Sequence, residues 1–317
     1  MPRILLVKTS SLGDVVHNLP VASDIASALP GAQIDWVVEE AFAAIAAAHP
    51  AVGRTIPLAL RRWRTAWWQH GTRAEVGAFF EALRTAHYDA IVDTQGLIKS
   101  AVVTRAARGR RYGFDWWSAR EPLPILYDST FRVPRDSHAV ERNRSLAAQA
   151  LGYAVPARVD YGIRAAHARE DWLPDGRYAV LIHATSARAK LWPEERWIAL
   201  GQRIAAQGVC CVLPWGSADE FARSRRLAEP IPGAVTAPAL KLAAVASLLA
   251  GARYAIGVDT GLTHLAVALG VATVGVYSST DPAKTGLYGS PQAINVGGIG
   301  ALPDVGQVLH GLDRVVQ

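Results

Sequence analysis

Short apolar runs alternate with stretches of helical spacing along this chain, and the alternation occurs in two cycles. In the first, residues 4–7 read as a buried strand, 15–29 as a helix stopped by Pro30-Gly31, and 34–38 as a second strand. A short Ala-rich helix over 41–48, a helix over 75–86, a strand over 90–92 and a helix over 100–107 complete it. Periodicity weakens over 154–175, which carries Pro156, Gly162 and Pro174. The second cycle has strands at 178–182, 209–213, 254–258 and 273–277, and helices at 194–207, 219–228, 242–250 and 263–269. Strands alternating with helices predict parallel sheets. The fold class is therefore α/β, with two Rossmann-like domains at 1–155 and 177–317 and a linker region at 156–176. The last helix is free to pack back on the first domain. Two such units would leave a cleft between them, and parallel sheets bind ligands beyond the carboxyl ends of their strands. The residues that follow each strand are thus the ones to examine.

A chain of 317 residues, half of them hydrophobic, can bury two cores without a metal or disulfide staple. Its two cysteines, Cys210 and Cys211, are neighbours on a strand and point to opposite faces. They read as reduced core residues in a reducing compartment. The net charge of +6 comes mostly from arginine, the only lysines being Lys8, Lys99, Lys190, Lys241 and Lys284. Arginine pairs bidentately with phosphates and carboxylates, so the surplus points to nucleic acid, an anionic membrane surface or an anionic substrate. The chain starts directly in a strand too short for a signal peptide. Its best apolar stretch, 240–258, is broken by Lys241, Gly251 and Arg253. A cytoplasmic protein with at most peripheral membrane contact is expected.

The first strand is followed by Thr9-Ser10-Ser11-Leu12-Gly13-Asp14 and a helix. Gly13 permits a tight turn, and Asp14 falls at the helix N-terminus. A carboxylate there caps the helix, or it serves as a general base toward an acceptor hydroxyl. The helix dipole weakens such a base, and desolvation on substrate binding would offset that. His17 lies on the same helical face, bonded to the same substrate or simply structural.

The strand ending at Val258 leads into Asp259-Thr260-Gly261-Leu262-Thr263-His264. Thr260 and Gly261 open a helix whose free amides suit a phosphate. Asp259 would instead cap the helix and oppose a phosphate placed on it, while His264 faces back toward phosphate or sugar. After residue 182 come His183-Ala184-Thr185-Ser186 and then Lys190. Thr185, Ser186 and Lys190 suit a diphosphate, with Lys190 neutralising charge on the leaving group, unless it is a solvated loop lysine. After residue 213, Glu220 is placed either to accept ribose hydroxyls or to sit in a helical first turn.

Two basic aromatic patches lie in the first half: Arg61-Arg62-Trp63-Arg64-Thr65-Ala66-Trp67-Trp68 and Asp115-Trp116-Trp117-Ser118-Ala119-Arg120. Such patches bind single-stranded nucleic acid, clamp anionic headgroups with indoles at the lipid interface, or form a surface of stacked Arg–Trp pairs. No Asp-x-Asp, Gly-x-Gly-x-x-Gly after the first strand, Walker A loop, His-Glu-x-x-His or Gly-x-Ser-x-Gly occurs. These absences disfavour dehydrogenases, P-loop enzymes, zincins and α/β-hydrolases.

Six segments in order, from Lys8 to His17, from Asp93 (DTQGLIKSA), from His138 (HAVER), from His183 (HATSARAKLWPEERW), from Leu213 (LPWG) and from Val258 (VDTGLTHL), resemble the lipopolysaccharide heptosyltransferases of glycosyltransferase family 9, heptosyltransferase I type. The resemblance implies an inverting enzyme of GT-B type. Its two domains would close over the donor. It would move L-glycero-D-manno-heptose from ADP-heptose to the first Kdo of Kdo-lipid A, on the cytoplasmic face of the inner membrane, with no metal or other cofactor. By matching position it implies Asp14 as general base. Donor contacts would be Thr185, Ser186, Lys190, Glu220 at the ribose, Leu240 by the adenine, and Asp259, Thr260, Gly261 and His264. Acceptor contacts would be Ser10, Gly13, His17, Arg61, Arg62, Arg64, Lys99 and Arg120. The chain departs from that pattern at Ala187-Arg188-Ala189 and at Ser278-Ser279, which leaves the shape of the donor loops open. Rival readings are heptosyltransferase II, which acts on a heptosylated core, and a non-catalytic nucleotide- or RNA-binding protein.

Overall fold

The computed structural model describes residues 1–122, 124–165 and 170–316. It divides into two compact units, Met1–Ile163 and Arg164–Gln317. The first is built from β1 (Arg3–Val7), α1 (Leu12–Val16), α2 (Leu19–Ala28), β2 (Gln33–Glu39), α3 (Ala43–Ala47), β3 (Val52–Leu58), α4 (Leu60–Ala66), α5 (His70–Arg84), β4 (His87–Asp93), α6 (Ile98–Ala106), β5 (Arg108–Phe114), β6 (Ser129–Phe131) and α7 (Ala139–Leu151). The second contains β7 (Tyr178–Ile182), α8 (Glu194–Ala205), β8 (Cys210–Leu213), α9 (Ala218–Ala228), β9 (Val235–Thr236), α10 (Leu242–Ala250), β10 (Tyr254–Val258), α11 (Gly261–Ala268), β11 (Thr273–Tyr277), α12 (Pro282–Thr285), β12 (Ala293–Gly297) and α13 (Val305–Val316).

Both sheets are parallel. Their orders are β3-β2-β1-β4-β5-β6 and β12-β11-β10-β7-β8-β9. These are the same doubly wound order, which reverses between β1 and β4 in the first unit and between β7 and β10 in the second. Such reversal points are where parallel sheets bind ligands. Two Rossmann-like units in series make this the α/β GT-B fold.

The central strands are apolar because both faces are covered: Ile4, Leu5, Leu6 and Val7 have no exposed surface, and neither do Ile256 and Val258. The single helix expected over 15–29 is two helices, since Pro20 cannot donate within a continuous turn and α2 starts anew with it. The Arg/Trp segment folds as α4, which buries Trp63 on the core and leaves Arg61, Arg62 and Arg64 outside. Cys211 is buried and Cys210 half-buried, both as free thiols, and burial pushes the Cys211 thiol up to about 12.

The first unit continues past residue 155 for a physical reason. Arg144 and Asp24 form a buried ion pair at 2.7 Å, and the same guanidinium donates to the Pro156 and Arg158 carbonyls. Gly162, at φ +67, packs against His49 and Ser23, where a Cβ would sit 2.2 Å from the imidazole. The start of the segment read as linker is thus part of the first unit, while its residues 166–169 lie outside the described ones. The last helix, α13, sets Val308, Leu312 and Val315 into the core of the second unit with Val274 and Val276 of β11. It does not need the first domain to cover its apolar face.

Candidate functional site

In the first unit the reversal point places the loop after β1 beside the loop after β4. Gln95 Oε1 accepts from the amides of Thr9 at 3.0 Å and Ser10 at 3.2 Å, which ties the two loops together. Asp93, fully buried, accepts from the Gln95 and Gly96 amides and the Tyr127 hydroxyl. Burial holds its carboxyl above the usual range despite these bonds, so Asp93 is framework. Asp14 is the third residue of α1, and its Oδ2 accepts from the Ser11 amide at 2.7 Å and the Ser11 hydroxyl at 3.2 Å. The capping contact is therefore made, and among the described residues Oδ1 has no hydrogen bond. A small cavity of about 30 Å³ adjoins Asp14, lined also by Lys8, Thr94, Arg120, Arg142 and Asn143.

The other first-unit candidates divide. The Lys99 ammonium donates to Ser10 Oγ at 2.6 Å, so these two come together near Asp14. Gly13 precedes Asp14 within α1. His17 caps the C-terminal end of α1 and is buried, edge-on to the His138 ring at 5.5 Å. Its carbonyl accepts from the side-chain amide of Asn143 on α7 at 3.2 Å. The Arg61 guanidinium lies over the Phe42 ring at 5.4 Å. Arg62 pairs with Glu40 at 3.1 Å and Glu75 at 2.8 Å, all three side chains being exposed. Arg64 is exposed in the last turn of α4.

In the second unit Asp259 organises the reversal point. Its Oδ2 accepts from Lys190 Nζ and from Thr280 Oγ1, each at 2.7 Å, and its Oδ1 lies 3.5 Å from His264 Nε2. Burial alone would raise this carboxyl, but the bonds from His264, Lys190 and Thr280 outweigh it and hold Asp259 well below the usual range. Asp259 is thus an anchor for Lys190 and not the helix cap, since Thr260 occupies that position. Thr260 and Gly261 present the opening amides of α11, and Thr185 Oγ1 donates to the Asp259 carbonyl at 3.3 Å. Ser186 is exposed beside it.

A close approach fixes α11 on its strand. Gly257 has no side chain, so Thr263 Oγ1 reaches the Val258 carbonyl at 2.7 Å; a Cβ on Gly257 would lie 2.2 Å from that hydroxyl. The two departures from the family pattern touch each other, with the Ser278 hydroxyl donating to the Ala189 carbonyl at 2.9 Å. Glu220 accepts from the Gly216 amide at 2.7 Å in the first turn of α9. Trp215 packs on Phe221 and donates to the Ala237 carbonyl at 2.6 Å, which ties the stretch before the half-buried Leu240 to the loop before Glu220. His183, directly after β7, has no exposed surface, and burial lowers its imidazole to about 4.

Sequence reasoning missed Thr280, which shares the Asp259 oxygen with Lys190, and Lys8, Arg142 and Asn143 of the first cavity. The signals were present: Lys8 stands in a lysine-poor chain, and Arg142 ends the HAVER segment. Among the described residues no three His, Cys, Asp or Glu side chains converge as metal ligands.

Comparison with known proteins bears on this geometry. The model of glycosyltransferase family 9 (heptosyltransferase) matches residues 76–309. Lipopolysaccharide heptosyltransferase 1 of Escherichia coli K12 is 48% identical over 296 residues, covering 92% of both chains. The namesake from Pseudomonas aeruginosa is 49% identical over 294 residues, covering 92% of this chain and 82% of its own. The solved structure of E. coli heptosyltransferase WaaC with ADP superposes with a TM-score of 0.87 at 44% identity, covering 96% of each chain. With two doubly wound sheets, candidate residues at both reversal points and matches over most of its length, the chain belongs to glycosyltransferase family 9, the heptosyltransferases, and is a glycosyltransferase.

Proposed function

We propose that the protein transfers L-glycero-D-manno-heptose from ADP-heptose to the first Kdo of Kdo-lipid A, with inversion at the anomeric carbon. The observation that carries this reading is the Asp259-anchored Lys190 beside the opening amides of α11, in a chain so similar to a heptosyltransferase solved with ADP. The donor diphosphate lies against those amides and Lys190, with Thr185, Ser186 and His264 around it and Glu220 and Leu240 toward the nucleoside. Asp14 takes the proton of a Kdo hydroxyl as that oxygen attacks the anomeric carbon. The bond from that carbon to the diphosphate oxygen breaks, its electron pair leaves on ADP, and Lys190 with the oriented amides stabilises the departing charge. One displacement inverts the centre, and no resident cofactor takes part in these steps. Asp14→Asn keeps the size and loses the base. It is expected to reduce turnover at least about 10²-fold while calorimetry shows unchanged ADP binding; near-normal turnover would remove Asp14 from the mechanism.

The reaction would take place at the cytoplasmic face of the inner membrane. Among the described residues no helix is long and apolar enough to cross a bilayer. Exposed indoles at Trp67, Trp68, Trp116 and Trp117, with Ile125 and the exposed Arg64 and Arg120, support peripheral contact with an anionic surface. Replacing Trp116 and Trp117 by Ser is expected to weaken sedimentation with phosphatidylglycerol vesicles and leave the melting temperature unchanged. Equal sedimentation of both proteins would refute that contact.

A further inference from the structure

The loop that carries Lys190 is gripped at its far end by an arginine of α9. Arg223 donates through one terminal nitrogen to the Trp192 carbonyl at 2.7 Å and through the other to Glu194 Oε1 at 3.0 Å. Trp192 stands two residues after Lys190, and Glu194 opens α8. The Arg223 side chain is 14% exposed. Burial lowers its guanidinium from the usual value, with Glu194 opposing that. Its Nε is buried and, among the described residues, has no hydrogen-bond partner. An apolar side chain of similar volume would avoid that desolvation, so packing alone does not account for an arginine at this position.

Counter-charge does not account for it either. Arg226 donates to both oxygens of Glu194, at 2.8 Å and 3.2 Å, so that carboxylate is neutralised without Arg223. What Arg223 adds is the bond to the Trp192 carbonyl. The Trp192 indole is fixed separately, donating to the Pro303 carbonyl at 2.9 Å and lying edge-on to Trp197 at 5.1 Å. Those contacts hold the side chain of Trp192, whereas Arg223 holds its main chain and with it the backbone leaving Lys190. A lysine is a point charge on a flexible stem, so the aim of its ammonium depends on where its backbone stands. The helix that grips this backbone also carries Glu220 in its first turn.

We propose that Arg223 is a positioning residue for the transfer step: by holding the Trp192 carbonyl it sets Lys190 against the diphosphate as negative charge develops there. This rests on the role given to Lys190 above. Arg223 acts through Lys190, and α9 then links the nucleoside end of the donor, at Glu220, to stabilisation of the leaving group.

The test is a double-mutant cycle with Lys190→Met, read as ADP release at saturating ADP-heptose and Kdo-lipid A. Arg223→Met removes the donors and keeps an unbranched side chain. It is expected to lower kcat about tenfold, as misplacement of a charged group from outside the reacting atoms does, with the KM for ADP-heptose close to that of wild type. In the Lys190→Met background the same substitution should cost less than about twofold, because a residue that acts through Lys190 has nothing left to position, whereas independent effects would add. Arg223→Lys, which can still donate to the Trp192 carbonyl, should recover most of the loss. The melting temperature of Arg223→Met should stay near that of wild type, since Arg226 still neutralises Glu194. An equal loss in both backgrounds, no recovery by Arg223→Lys, wild-type kcat in Arg223→Met, or unfolding of that variant overturns the positioning role and leaves Lys190 standing. Normal turnover by Lys190→Met alone overturns both.

Discussion

Lys190→Met separates the charge of this side chain from its bulk. In the structure the ammonium is held 2.7 Å from Asp259 Oδ2, with Lys190 29% and Asp259 7% exposed. A cation about 4 Å from a developing negative charge at an effective dielectric near 20 is worth about 4 kcal/mol. Not all of that is gained, because Lys190 must share or leave its ion pair. A pair of this intermediate burial lies between the surface range and the fully buried one, so about 1–2 kcal/mol is given up. The net effect on the transition state is about 2–3 kcal/mol, or a fall in kcat of roughly 30- to 150-fold. ADP release at saturating donor and acceptor measures it. Urea unfolding should show only a modest change of about 1 kcal/mol, since Asp259 keeps Thr280 and His264. A kcat within about threefold of wild type would refute the assignment, because that leaves under 1 kcal/mol for the charge.

Two further outcomes follow from the geometry. His49 is buried with its imidazole lowered to about 4, chiefly by burial, so between that value and its ordinary 6.5 the unfolded chain binds the extra proton. Stability is complete above the ordinary value and is lost as pH falls through this window, by up to about 3 kcal/mol. Urea midpoints at neutral and acid pH should therefore converge more closely for His49→Gln than for wild type, and an unchanged pH slope would contradict this. Gly257→Ala puts a methyl group where Thr263 and Ile182 already stand; displacement of α11 should weaken ADP binding measured by calorimetry and lower the melting temperature, whereas wild-type affinity would show that the close approach is dispensable.

The architecture was legible where burial is two-sided. The strands at 178–182, 254–258 and 273–277 are continuous apolar runs, and their predicted bounds coincide with β7, β10 and β11. Two other strands were not: β3, at the sheet edge, carries Arg54 and Pro57, and β5, between β4 and β6, reads RGRRYGF, so neither has the apolar run. α7 was missed as a helix since its HAVERNR start is polar on the outer face and buries Arg144 with Asp24, a pairing no local pattern reveals. Among the candidate residues, Asp14, Lys190, Thr260 and Gly261 were open to sequence reading because each lies in a segment that follows a strand. Thr280 and Lys8 also follow strands, β11 and β1, but were passed over because what marks them is what they meet in the fold: the Asp259 carboxylate and the Thr94 carbonyl. Arg62, taken from a basic run, has partners that only the fold reveals: Glu40 and Glu75.

Transfer itself is the central claim, and ADP release from ADP-heptose with and without Kdo-lipid A, in the presence of a chelator, measures it most directly. Release that depends on Kdo-lipid A, with heptose recovered on the Kdo in inverted configuration, is the expected result. Release only with a heptosylated core, or ADP-heptose binding with no acceptor-dependent release beside an active control enzyme, would contradict it.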